Sequence, residues 1–164
     1  MAAPNAIRHA SPEGRVELEP DAVGRAFLAC FGLFAGTLWV GSLFARVVAY
    51  PLIAGPRDEL PGWLVLIAGW FFGPISLSIA WYANIPLLFS IGQLLIGRVP
   101  NFRFATMSVA VAATALLPVH FIDFEWGTFW CLVSGPAVWL WLASFVIAWL
   151  PSLYIRWLIR TSDE

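Results

Sequence analysis

Uncharged apolar runs long enough to cross a lipid bilayer recur along this chain. Ala26 to Ala45 contains no charged residue, and Gly62 to Gly97 holds 36 consecutive residues without one. A helix needs about 20 apolar residues to cross ~30 Å of hydrocarbon. Charged residues make up 12% of the chain, about half the usual share of a soluble domain. Because a soluble protein of 164 residues could not bury so much apolar surface, the sequence predicts an integral membrane protein.

The chain divides into a polar N-terminal tail and a membrane domain. Residues 1–24 contain three prolines and show no apolar periodicity, which is typical of a disordered segment. The tail is long and acidic, unlike a secretory signal, so we expect it to be retained on the cytoplasmic side. Residues 25–160 form the predicted membrane domain, and its first span covers about 26–48, directly after Arg25.

The 36-residue uncharged stretch is too long for one upright span and slightly short for two. As a single helix it would be about 54 Å long. Proline disfavours helix in the residue before it, so Gly73-Pro74 marks a break. We interpret Trp63–Phe72 as a half-embedded helix and 75–97 as the second span. Pro86 should kink that span near its middle.

Two further spans complete an all-α bundle. The third covers about 104–120 and the fourth about 128–150, with Pro151 ending the fourth. Residues 152–160 are amphipathic and predict a helix on the membrane surface. The predicted fold is therefore a polytopic membrane bundle of four transmembrane helices. A five-helix bundle is the alternative, if residues 62–97 form a hairpin.

The distribution of arginine predicts the orientation, because basic residues are enriched in cytoplasmic loops. With four spans and both termini inside, seven arginines lie inside and two outside; with five spans the counts are six and three. The chain has nine arginines and no lysine, which suggests a GC-rich bacterial genome. We therefore expect a multi-pass protein of the bacterial inner membrane with both termini cytoplasmic. The inner set in the four-span arrangement is Arg8, Arg15, Arg25, Arg98, Arg103, Arg156 and Arg160, and the outer set is Arg46 and Arg57.

Asn84 is the most informative polar residue, because it lies near the centre of the second span. A buried amide in hydrocarbon must find hydrogen-bond partners. Pro86 leaves the Tyr82 carbonyl without its helical donor, so the Asn84 side chain could bond backbone groups near the kink. The alternatives are a hydrogen bond across helices, to Ser144 or Thr106, or contact with a ligand or ion.

Gln93 and His120 are weaker candidates for a binding or packing role. Gln93 follows Asn84 further along the second span, and the same argument applies to it with less force. His120 ends the third span and precedes Asp123 and Glu125, a combination that could hold a divalent metal. One imidazole with two loop carboxylates is a poor metal site, so a solvated interfacial loop is the better interpretation. We predict no catalytic residue, metal or cofactor.

Small residues recur at four-residue spacing, which places them on one face of a helix. Gly32 and Gly36 form one such pair, and Ser144, Ala148 and Ser152 form a series. Small residues allow the backbones of neighbouring helices to approach closely. We interpret these stripes as packing within the chain, with contact to another subunit as the alternative.

Composition excludes some functions and favours others. The net charge of −1 argues against a nucleic-acid partner. No acidic residue lies in any predicted span, which argues against a proton-coupled exchanger. The first hypothesis is a non-enzymatic accessory or assembly subunit that packs against other membrane proteins in the bilayer. The second is a passive transporter, channel or lipophilic-ligand binder that uses the kinked helix around Asn84. An enzyme acting on lipids, with His120, Asp123 and Glu125, is a third.

Two short motifs resemble those of uncharacterised small inner-membrane proteins of bacteria. The motifs are Trp-Tyr-Ala-Asn-Ile-Pro at Trp81–Pro86, followed by a basic turn, and Trp-Leu-Ala-Ser at Trp141–Ser144. Ile85 separates the asparagine from the proline here, whereas the two are adjacent in that group. The resemblance implies a small multi-span helical membrane protein, and it implies no activity or functional residues.

Overall fold

The computed structural model describes residues 7–10, 16–19, 21–51, 58–72, 79–123 and 127–162. The fold is mostly helical. The five α-helices are α1 (Ala22–Phe44), α2 (Gly62–Phe72), α3 (Asn84–Leu95), α4 (Phe102–Ala113) and α5 (Pro136–Ser162). Two 3-10 turns extend this set: Ala80–Ala83 leads directly into α3, and Thr114–Leu116 follows α4.

The described ranges also contain six short strands, so the predicted all-α fold is wrong in this respect. β1 (Ile7–Ala10) and β2 (Val16–Glu19) pair with each other, inside the segment predicted to be a disordered tail. The other four form an antiparallel sheet in the order β4-β3-β6-β5. They are β3 (Arg46–Pro51), β4 (Asp58–Pro61), β5 (Val119–Asp123) and β6 (Gly127–Ser134).

The four-stranded sheet takes residues that the sequence analysis assigned to helical spans. The third predicted span, 104–120, is helical only to Leu116, since Pro118 follows and β5 begins at Val119. The fourth, 128–150, begins as β6 and turns at Gly135, whose φ of 112° suits glycine. Pro136 then opens α5, a position where proline loses no hydrogen bond.

Among the described residues, two helices are long and apolar enough to cross a bilayer: α1 with 23 residues, and α5, of which 26 residues form the apolar segment. The described ranges do not show four spans, because α3 and α4 have twelve residues each. The start of the predicted second span, up to residue 78, lies outside the described residues. A helix is present at the predicted position, where α2 covers Gly62–Phe72.

Pro151 does not end the last helix, contrary to the prediction, and the expected separate surface helix continues α5 to Ser162. Residues on both sides of Pro151 are held by neighbouring elements. Ser152 Oγ donates to the Pro100 carbonyl at 2.8 Å, and Trp149 Nε1 donates to Thr106 Oγ1 at 2.9 Å. Packing of this kind stabilises a proline that a free helix would not tolerate.

The helical core lies where α1, α3, α4 and α5 meet. Its largest fully buried side chains include Phe145, Leu87 and Leu94. Gly32 lets α1 approach α3 closely, since a methyl group added there would lie 3.0 Å from Leu94 Cβ and 3.1 Å from the Leu95 nitrogen. Ser144 and Ala148 are buried on α5, so the small-residue stripes pack within the chain at these positions.

Candidate functional site: a buried asparagine between two indoles

Asn84 lies at the joint between the 3-10 turn Ala80–Ala83 and α3. It is only 1% exposed. Its side-chain nitrogen donates to the Trp81 carbonyl at 2.7 Å, a local bond that fixes the direction of the amide. The carbonyl oxygen of the side chain therefore points away from its own helix start and towards the neighbouring helices.

That oxygen joins three helices. Asn84 Oδ1 accepts a hydrogen bond from Trp39 Nε1 of α1 at 2.9 Å and another from Trp141 Nε1 of α5 at 2.8 Å. A carbonyl oxygen has two lone pairs, so this oxygen is saturated. A buried indole N–H needs an acceptor, and Asn84 satisfies two of them with one atom. We call this arrangement of Asn84, Trp39 and Trp141 the indole–amide node.

Aromatic packing surrounds the indole–amide node on the side of α5. The Trp141 ring lies 4.9 Å from the Phe145 ring in an edge-to-face arrangement and 6.0 Å from the Trp81 ring. Trp141 is 6% exposed and Phe145 2% exposed. These ring contacts hold the Trp141 indole in place, with its N–H directed at the Asn84 side chain.

Pro86 lies in the first turn of α3 rather than in the middle of a span. Proline is tolerated there because the first-turn N–H groups have no helical acceptor. The expected mid-span kink is therefore replaced by the start of a helix. The Pro86 carbonyl accepts a bond from Ser90 Oγ at 2.8 Å.

Gln93 and His120 do not join Asn84. Gln93 lies nine residues along α3, or about 13 Å, and its side chain makes no hydrogen bond among the described residues. Its backbone carbonyl accepts from the Arg98 N–H at 2.8 Å, which closes the end of the helix. His120 is paired with Trp130 in the sheet, and its side chain lies outside the described residues.

The cross-helix partners suggested by the sequence were the wrong ones. Ser144 Oγ donates instead to the Trp141 carbonyl at 2.6 Å, and Thr106 Oγ1 bonds Trp149. Trp39 and Trp141 were missed as partners of Asn84. The signal was present, since an indole deep in an apolar run has a donor that needs an acceptor, and Asn84 is the strongest acceptor in the adjoining run.

A small cavity adjoins the node. It has a volume of about 40 Å³ and is lined by Trp81, Trp141, Ser42 and apolar side chains of α2 and α5. This volume admits water-sized molecules and is far below the ~300 Å³ of a typical small-molecule pocket. This cavity, as the described residues line it, is therefore too small for a lipophilic ligand.

Charged groups lie at the two ends of the helices. At one end, α1 begins at Ala22 with Asp21 as its cap, Asp21 Oδ1 accepting from the Gly24 N–H at 2.7 Å. At the other, Arg46 Nη1 bonds Glu59 Oε2 at 2.7 Å across the β3–β4 pair. Both side chains of that ion pair are well exposed, so it contributes little stability.

No group of three metal-ligating side chains occurs within the ranges that the structure describes. The carboxylates and the imidazole that the sequence offered as a metal or enzymatic cluster, those of His120, Asp123 and Glu125, lie outside the described side chains.

Comparison of the chain with protein-family models, with curated proteins and with solved structures finds no match.

Proposed function

We propose that this chain is a multi-pass protein of a bacterial inner membrane, with both termini on the cytosolic side. The support is the alternating direction of α1, α3, α4 and α5. At one end of the bundle the start of α1 meets the end of α3, because a side chain at Gly97 would contact Arg25. At the opposite end the Gly62 N–H bonds the Ala45 carbonyl at 2.9 Å, and Gly135 abuts the Arg46 backbone.

Because the helices alternate in direction, the start of α1, the turn between α3 and α4, and the end of α5 lie at the same end of the bundle. The turn 96–101 and the end of α5 lie together, as the bond between Ser152 and Pro100 requires. Five of the arginines assigned to the cytosolic side by sequence lie in these elements or at the starts of α1 and α4. Arginines on the cytosolic face are what a bilayer protein of this orientation would carry. On this proposal α3 and α4, with their 3-10 turns, act as the two shorter passes.

We further propose that the protein is a non-enzymatic accessory or assembly subunit. The observation that carries this proposal is the composition of its buried polar groups. Within the described part of the chain these are Asn84 and five serines, and no buried side chain is ionisable. Asn84 is used to join helices, so the interior supports packing and offers no acid, base or proton path.

The outward surface fits the same role. α1 exposes Phe27, Leu33, Phe34 and Phe44, each by more than half of its surface. On a bilayer protein such side chains face either lipid or another membrane subunit. Passive transport or binding of a lipophilic ligand at Asn84, the second hypothesis, would need open space beside the amide, and the adjoining cavity of about 40 Å³ is too small for it.

Purification from the native host in a mild detergent tests the accessory role. We expect one or more membrane proteins to co-purify in a fixed ratio to this chain. An unrelated multi-pass protein of the same host, tagged and purified in the same way, identifies the background. A solitary monomer, with nothing above that background, would contradict the accessory role.

A further inference from the structure

The end of the bundle opposite the four-stranded sheet is strongly basic. All five of the arginines at this end are exposed: Arg25, Arg98, Arg103, Arg156 and Arg160. None of them forms an ion pair with a carboxylate among the described residues. Arg156 instead lies over the Phe102 ring, with its Cζ 4.3 Å from the ring centre.

A shallow, open groove lies between α3 and the first half of α4 and includes a residue of the turn before α4. It has a volume of about 480 Å³ and is lined by Phe89, Asn101, Arg103, Phe104 and Met107. Phe89 and Phe104 form an edge-to-face pair with ring centres 5.8 Å apart. The three apolar side chains are 41–66% exposed, so the groove offers an uncovered apolar floor.

The polar mouth of the groove presents hydrogen-bond donors. Asn101 Oδ1 accepts from the Arg103 backbone N–H at 3.0 Å, and the Asn101 NH₂ group donates to no group among the described residues, so its donors are left for a ligand. The Arg103 guanidinium adds a fixed positive charge with several donors. An amide NH₂ group beside a guanidinium suits a phosphate group, and arginine binds phosphate in a bidentate manner.

We infer that this groove binds an anionic glycerophospholipid. The head-group phosphate lies at Arg103 and Asn101, and one acyl chain lies along Phe89, Phe104 and Met107. The inference joins two observations: a mouth with a guanidinium and an amide donor, and an apolar floor beside it. A free phosphate would use the mouth alone, and a zwitterionic lipid would place its own cation beside an arginine.

The inference rests on the proposed membrane location and on the assignment of the basic end to the cytosolic face, where anionic lipid head groups attract basic residues. It does not depend on the accessory role. A lipid could therefore bind in the groove whether or not another subunit co-purifies.

Native mass spectrometry of the detergent-solubilised chain tests the inference. The protein is titrated with phosphatidylglycerol and with phosphatidylcholine of the same acyl chains. We expect phosphatidylglycerol to be retained at least about fivefold more strongly, the contribution of one basic residue near an anionic head group. Equal retention of the two lipids would overturn the inference.

Matched variants distinguish lipid binding in the groove from non-specific electrostatic attraction to the basic end. Arg103→Gln should weaken phosphatidylglycerol binding about fivefold or more, whereas Arg160→Gln, in the last turn of α5, removes the same charge and should have little effect. Equal losses in the two variants would show diffuse electrostatics and overturn the site. Both arginines are exposed, so far-UV circular dichroism should show both variants folded.

A third comparison tests the apolar floor. Met107→Gln keeps every charge and should weaken phosphatidylglycerol binding while leaving the preference over phosphatidylcholine unchanged. Displacement of the lipid by an equal concentration of inorganic phosphate would show that the mouth alone binds, which contradicts the proposed lipid. If the chain instead stays soluble and monomeric without detergent, the proposed membrane location itself is wrong.

Discussion

Replacing Asn84 by leucine should destabilise the bundle more than any other single amide replacement on α3. Asn84→Leu preserves size and removes the acceptor that Trp39 and Trp141 share. It also removes the donor to the Trp81 carbonyl. Trp141 is 6% exposed, so its N–H would have no water to replace the lost oxygen.

The size of the effect follows from these contacts. Hydrogen bonds between helices in a membrane protein contribute about 0.6–1.7 kcal/mol each, so the two indole bonds together contribute about 1–3 kcal/mol. A buried donor left unpaired costs about 1–3 kcal/mol. The full cost applies to the N–H of the buried Trp141, and only part of it applies to the N–H of the half-buried Trp39. We expect a net loss of about 2–4 kcal/mol, or about 5–15 °C in Tm for a chain of this size.

Thermal unfolding in detergent, followed by far-UV circular dichroism, measures this loss. Gln93→Leu is the matched control, because it makes the same chemical change on the same helix at a side chain with no hydrogen bond among the described residues. Its Tm should stay the same or rise. Adding Trp141→Phe to Asn84→Leu should lower stability by less than the sum of the two single changes, since both remove one bond.

Equal Tm values for Asn84→Leu and Gln93→Leu would refute the reasoning. They would show that the indole–amide node does not hold the helices together. Strict additivity of Asn84→Leu and Trp141→Phe would refute the same point independently, because residues that share a hydrogen bond must show coupling.

Two paired substitutions test the packing of the same bundle. Gly32→Ala should destabilise it by about 1–3 kcal/mol because the new methyl group meets α3 at 3.0 Å, whereas Gly36→Ala, with its nearest atom at 3.8 Å, should be neutral or stabilising; the difference in Tm between the two measures the close approach. Ser108 is buried and its hydroxyl has no hydrogen-bond partner in the part of the chain that the structure describes, so Ser108→Ala should leave Tm unchanged or raise it. Ser152→Ala removes the hydrogen bond from α5 to the Pro100 carbonyl and should lower the free energy of unfolding by about 0.5–1.5 kcal/mol, as measured by chemical denaturation. A larger loss of stability from Ser108→Ala than from Ser152→Ala would contradict both estimates.

Runs of uncharged residues were sufficient to predict α1 to within four residues at each end, and they placed α2 between Gly62 and the break before Pro74. They did not predict the bounds of α5, which begins after the strand β6 and continues through Pro151. The burial of Asn84 also followed from sequence, because an amide inside an apolar run must be enclosed and bonded. These predictions depend on local chemistry, which a single sequence carries.

The sheet could not be predicted from charge alone. An uncharged run of 23 residues from Thr128 is long enough for a span, yet Gly135-Pro136 divides it into a strand and a helix start. Gly135-Pro136 is the same dipeptide as Gly73-Pro74, and it likewise interrupts an uncharged run. Pro118 marks a similar limit in the preceding span, and the aromatic and β-branched residues before Gly135 favour a strand.

Partner choice at the indole–amide node depended on tertiary structure. The position of a residue along a predicted span could not show that Trp39 and Trp141 converge on one oxygen. Their convergence depends on how α1 and α5 are rotated relative to each other. The same holds for Pro151, whose place inside a continuous helix follows from contacts to the turn before α4. Interactions between distant segments are therefore where the sequence analysis was least informative.

Site-specific cysteine labelling tests most directly whether the basic end faces the cytosol. In a background with Cys30 and Cys131 replaced by serine, Leu117→Cys places an exposed thiol near the sheet and Arg160→Cys places one at the basic end. With a membrane-impermeant maleimide on spheroplasts, the Leu117→Cys protein should label at once and the Arg160→Cys protein only after the membrane is opened. Labelling of Arg160→Cys in intact spheroplasts, or recovery of the chain in the soluble fraction, would contradict the account.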